Sequence, residues 1–155
     1  MRLLLVAVLA LAAPAARAEM RNEEHMVGDK VVRIAVSGTI ERMTVGPSDP
    51  VQIQVLSGAD IEILAFAADA DSVALVGVPV LVAEVTGTHS CEAGDPRAYY
   101  VVTLGDLPAA EGPVTSCEVL VPSLTSGAVV MAADPMGDAG AWAWVPGKGW
   151  GDRAE

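Results

Sequence analysis

The chain has 155 residues, with 9 Lys and Arg against 20 Asp and Glu, a formal charge of −11 and only two cysteines. So acidic a chain is repelled by nucleic acid and by anionic membrane surfaces, both of which are bound through Lys and Arg. Its length suits one domain with room for a sizeable core.

The first eighteen residues, MRLLLVAVLALAAPAARA, read as a secretory signal peptide. Arg2 gives a positive start, Leu3 to Ala13 is uninterruptedly apolar, Pro14 ends the helix-forming run, and Ala16 and Ala18 supply the small residues a signal peptidase reads. That apolar run is well short of the ~20 residues needed to span a bilayer. No cysteine follows to take a lipid, and nothing later is long and apolar enough to be a span. The expected mature protein begins at Glu19 and is soluble in the bacterial periplasm or outside the cell. The leader removes two arginines and no acid, so the remaining 137 residues hold 20 acidic and 7 basic side chains, a formal charge of −13. Such a surface attracts basic proteins or cations, although net charge also serves plain solubility.

Residues 19–28 are polar and are expected to form a flexible arm before a single β domain at 29–151, with 152–155 as a frayed tail. KVVRIAV alternates and meets Ser37-Gly38, a plausible hairpin turn into TIERMTV. After GPSDP, VQIQVL places Val51, Ile53 and Val55 on one face and Gln52 and Gln54 on the other, and SGAD turns the chain into IEILAFAA. FAADADSVAL has room for a short turn of helix. PVLVAEV carries too many apolar residues for a half-solvated strand and is expected at the centre of the core. AYYVVTL, CEVLVP, GAVVMAA and GAWAWV complete the set. The pattern predicts a mostly β, single-domain antiparallel β-sandwich or barrel of about nine or ten short strands with one disulfide. A right-handed β-helix is the alternative for the N-terminal half.

Export decides the reading of the cysteines. In an oxidising compartment an even pair forms a disulfide. Cys91 and Cys117 lie 26 residues apart, too far for a CxxC redox motif. His89 stands two residues before Cys91, but the only other histidine is His25, so a copper or zinc site lacks ligands. A structural disulfide between Cys91 and Cys117 is therefore expected.

Catalytic signatures are absent: there is no GxSxG, HExxH, phosphate-binding loop or dinucleotide glycine pattern. Asp69 with Asp71 and Asp134 with Asp138 do not complete a calcium loop and read as solvated turns. Met20, His25 and Met26 are soft copper ligands by type, but a polar arm gives them no fixed geometry. AWAWVPGKGW concentrates Trp142, Trp144 and Trp150, half of all the aromatic residues. Trp142 and Trp144 share one face of a strand and the intervening turn returns Trp150 toward them. Turned inward, these rings close the core; turned outward, they form a platform for a sugar or a partner.

The composition thus predicts an exported, non-catalytic binding protein that needs no cofactor and no metal. Its expected partner is another exported protein, basic in charge, such as a toxin or a cell-wall hydrolase. The alternative is a glycan- or peptidoglycan-binding module that uses the tryptophans. Neither nucleic-acid binding nor membrane insertion is expected.

Overall fold

Polar turns and short β-branched runs recur along the whole chain, and each such run finds an antiparallel neighbour. The computed structural model describes residues 21–47, 51–87, 90–133 and 141–152. The signal peptide, His89, Met20, Asp134 and Asp138 lie outside the described residues.

The first four strands, β1 (Asn22–Val27), β2 (Lys30–Ser37), β3 (Ile40–Gly46) and β4 (Ile53–Gly58), form one antiparallel meander, sheet A. The second sheet, B, holds β5 (Ile61–Ala67), β6 (Val80–Thr86), β7 (Arg97–Thr103) and β8 (Ala109–Ser116). The third, C, holds β9 (Val121–Thr125), β10 (Ala128–Ala132), β11 (Trp142–Val145) and β12 (Gly149–Asp152). One short helix, α1 (Ala70–Val76), lies between β5 and β6. Among the described residues all pairings are antiparallel, which rules out the β-helix for the N-terminal half, and no sheet closes into a barrel.

Sheet B is the middle layer. Leu81, Ala83, Val85 and Val102 pack toward sheet A, against Val32, Ile34, Met43 and Val45. On the opposite face Val80, Val82, Tyr99 and Val101 pack toward sheet C, against Val129, Met131 and Trp144. Successive side chains of a strand point to opposite faces, so β6 buries everything from Val80 to Val85. The valine-rich PVLVAEV run is central for this reason. Each buried valine or leucine of β6 contributes about 1.5–3 kcal/mol relative to exposure.

Several expectations need correction. Residues 22–27 form β1 rather than a loose arm: the Gly28-Asp29 turn, with Gly28 at φ +64°, folds this segment back onto β2. The hairpin between β2 and β3 turns on Gly38-Thr39, one residue later than expected. A bulge opposite Met43 and Thr44 leaves Val55 without a partner, so Leu56 enters the core; Val51, which precedes β4, is exposed. The strand expected at CEVLVP begins only at Val121, because Cys117–Leu120 is the step from sheet B to sheet C. Asp152, placed in the tail, ends β12. With β8 and β12 added, the described residues hold twelve strands.

The disulfide between Cys91 and Cys117 ties the β6–β7 connection to the start of the step into sheet C, with Cα atoms 5.8 Å apart. Gly94 is needed beside it. Its φ is +81°, and a Cβ there would sit 2.2 Å from the Cys117 carbonyl oxygen. The disulfide is compatible with an oxidising, exported location, and no helix among the described residues is long and apolar enough to cross a membrane.

Candidate functional site

The β7–β8 connection, Leu104 to Pro108, is a short turn held firmly at both ends. Leu104 is buried and its N–H donates to the Pro79 carbonyl at 2.9 Å, while Pro108 is buried at the other side. Between them Leu107 is 81% exposed. Leu107 shares a cleft lining with Val51, which is 62% exposed, so the two form a small apolar patch and not a lone exposed side chain. Two clefts flank this tip. One, of about 280 Å³, runs between Lys30, Pro47, Val51 and Ile53 on the sheet A side and Asp106 and Leu107 on the turn. The other, of about 200 Å³, lies between sheets B and C and is lined by Val78, Pro79, Thr103, Glu111, Trp144 and Pro146.

Glu111 organises the second cleft. The indole Nε1–H of Trp144 donates to its Oε2 at 2.8 Å, and that of Trp150 donates to its main-chain oxygen at 3.0 Å. A bulge in the β7–β8 pairing, between Tyr99 and Val101, sets this geometry. Gly112 sits at φ +143°, where a Cβ would lie 2.8 Å from the Tyr99 carbonyl oxygen. Bulges bend an edge strand and re-aim its side chains. Here the bulge immediately follows Glu111, whose side chain faces the β11–β12 hairpin.

The three tryptophans share the inner face of sheet C, as their spacing predicts. Trp144 is opposite Trp150 in the β11–β12 register, and Trp142 is two residues from Trp144. Trp144 is fully buried, and Trp142 and Trp150 are part-buried against the same core. They close the layer between sheets B and C, and Trp144 offers no exposed ring face.

Other sequence candidates serve the fold. Asp69 caps α1: its Oδ1 accepts the Asp71 and Ser72 N–H groups at 3.1 and 3.0 Å, and its Oδ2 accepts the Ser72 hydroxyl at 2.6 Å. The bond from that hydroxyl lowers the Asp69 carboxyl below its ordinary pKa. His25 lies 3.4 Å from a Glu23 oxygen and Met26 is exposed. As neighbours on β1 they point to opposite faces. Among the described residues no three His, Cys, Asp or Glu side chains gather as a metal-binding group.

Two ion-pair clusters hold the sheets. Arg21 reaches Glu23, the buried Glu41 and Asp60, and Glu41 also accepts the Ile61 N–H at 2.8 Å. This fastens β3 of sheet A to Ile61, the first residue of sheet B, and Arg21 ties the start of β1 to the same point. Hydrogen bonding to Glu23 raises the Arg21 guanidinium further above its ordinary value, and the same contact lowers the Glu23 carboxyl. On β6, the buried Glu84 is paired with Arg97, which also approaches Asp95 at 3.6 Å. Tyr99 lies beside them. Its hydroxyl accepts the Leu120 N–H at 3.0 Å, and burial raises its phenol above the ordinary tyrosine value.

Sequence reading found the tryptophans but missed Glu111, Asp106 and Leu107. The signal for the tip was present in LGDLP, a leucine set among Gly, Asp and Pro. Glu111 carried no local signal, because its partners lie 33 and 39 residues away. Comparison with known protein families, with curated proteins and with solved structures finds no match to this chain.

Proposed function

We propose that this is an exported, non-catalytic binding protein whose partner is another protein, basic in charge, such as a toxin or a cell-wall hydrolase, met at the β7–β8 tip. The observation that carries this reading is Leu107, 81% exposed on an anchored turn with a cleft on either side. Interfaces set an apolar centre within a polar rim. The carboxylates supply the sign of the partner. Arg21, Lys30, Arg33 and Arg97 are taken up in ion pairs within the fold, which leaves Arg42 and Lys148 as the exposed basic residues outside any ion pair among the described residues. Glu62, Asp71, Glu92, Asp106, Glu118 and Asp152 are exposed and have no basic partner among the described residues. The burial of Trp144 and the engagement of the Trp144 and Trp150 indole N–H groups count against a sugar platform.

The test is affinity capture from the exported fraction of the producing cell, followed by kinetics with the recovered partner. A basic partner gains association rate from electrostatic steering, and that gain shrinks as salt screens it. The expected result is a partner of opposite charge whose association slows markedly between low and physiological salt, and which Leu107→Ser weakens at least tenfold. A salt-insensitive affinity for peptidoglycan fragments, unaffected by Leu107→Ser, overturns the reading in favour of a glycan module.

A further inference from the structure

The cleft between sheets B and C has one ionisable residue in its lining, Glu111, among walls that are otherwise largely apolar. The carboxylate is half-committed. Its Oε2 accepts the Trp144 indole N–H, and its Oε1 has no hydrogen-bond partner among the described residues. No buried side-chain nitrogen or oxygen among those residues lacks a partner, so this unbonded Oε1 is open to solvent. The Trp144 bond fixes the carboxylate in place before anything binds. Lys148, in the adjoining β11–β12 turn, makes no ion pair with it.

We propose that this cleft receives a lysine side chain of the partner, with the primary ammonium on Glu111 Oε1 and the aliphatic stem along Val78, Pro79 and Pro146. The inference rests on the proposed function for the identity of the occupant and deepens it. Three features select lysine. The volume of about 200 Å³ is below the ~300–1,000 Å³ of pockets for whole small molecules, so it suits one side chain. Apolar walls ending at one carboxylate match a side chain that is aliphatic along its stem and charged only at its end. A guanidinium binds best in a fork across both carboxylate oxygens, and the Trp144 N–H competes for one of them; an ammonium is a point charge satisfied by a single oxygen. The excess negative charge of the chain favours the same cation.

The experiment titrates N-acetyl-lysine methylamide into the folded protein and follows the Trp144 indole N–H resonance. The norleucine and arginine counterparts serve as comparisons. Glu111→Gln is the informative variant, because its amide oxygen still accepts the Trp144 N–H while the charge is gone. An unchanged melting temperature and a retained Trp144 resonance show that it folds. The expected result is a saturable shift with the lysine probe, absent with norleucine, weaker with arginine, and at least tenfold weaker in Glu111→Gln. The captured partner should lose affinity by a similar factor in that variant. Equal binding of lysine and norleucine, stronger binding of arginine, or lysine binding unchanged in Glu111→Gln overturns the inference. If Leu107→Ser loses the partner while Glu111→Gln keeps it, the lysine site fails and the protein-binding reading stands. If the recovered partner ignores both substitutions, the reading of the β7–β8 tip and the inference that the cleft takes a lysine of the partner both fail, whatever the free lysine probe does.

Discussion

Replacing Tyr99 by Phe isolates one hydrogen bond at the junction of sheets B and C. The Tyr99 ring is fully buried, and its hydroxyl is the acceptor for the Leu120 main-chain N–H at 3.0 Å. It also lies 3.5 Å from the Glu118 carbonyl oxygen, a long and weak contact for a donor. Phenylalanine keeps the ring and leaves the buried Leu120 donor without a partner, a loss of about 1–3 kcal/mol. With a urea m-value of about 1–3 kcal/mol/M, the unfolding midpoint should fall by roughly 1 M. Tyr100→Phe is the internal control. Tyr100 is part-buried and its hydroxyl has no hydrogen-bond partner among the described residues, so its change should stay within about 0.5 kcal/mol. The phenol adds an independent signature at alkaline pH. Burial raises the folded-state pKa of Tyr99 above that of the unfolded chain. Above the ordinary tyrosine value of about 10, the native state therefore holds a proton that the unfolded state has lost, and stability falls as pH rises. Tyr99→Phe should flatten that alkaline decline. A variant as stable as Tyr100→Phe, or one with the same alkaline slope as the parent, refutes this account of the junction.

Two further outcomes follow from the same framework. Replacing Cys91 and Cys117 together by Ser should cost about 3.5 kcal/mol in the loop-entropy account of a 26-residue separation. Urea unfolding of the variant should match that of the reduced parent, and the unreduced parent should show no free thiol. Arg97→Met leaves the buried Glu84 carboxylate unpaired at the centre of sheet B and should cost about 3–5 kcal/mol, whereas the double change Glu84→Leu with Arg97→Met should recover most of that loss. A double variant no more stable than Arg97→Met alone would show that the pair does not act as a unit.

What was legible in the sequence follows from where each strand sits. The strands named in advance have neighbours and an apolar face to cover, and β6, buried on both faces, was the clearest of them. The strands missed, β1, β8 and β12, are each the edge of a sheet; the other three edges, β4, β5 and β9, keep an apolar run in the sequence and were read from it. An edge strand has one hydrogen-bonding neighbour instead of two and little need for a continuous apolar face. In β1 only Val27 is buried, in β8 only Val114, and in β12 nothing is. Polar or glycine-rich composition is therefore what those positions require, and it reads as loop. Pro113 suits the same kind of position. Proline is confined to edge strands and bulges, and β8 supplies both. Val55 shows the complementary error, because a bulge shifts the phase of an otherwise regular alternation without any signature beyond the strand itself.

The candidate site inherits its illegibility from those edges. Glu111 lies on β8, and its partner Trp150 lies on β12, two strands that sequence periodicity does not reveal. The edge position is also what makes the cleft possible. A central strand would have both its neighbours hydrogen-bonded and its faces packed, as β6 does, leaving no room beside a carboxylate. At the edge of sheet B the bulge after Glu111 opens the ladder, Trp150 covers one exposed carbonyl, and Trp144 orients one carboxylate oxygen. The oxygen that remains is open to solvent because the strand that carries it is the last of its sheet.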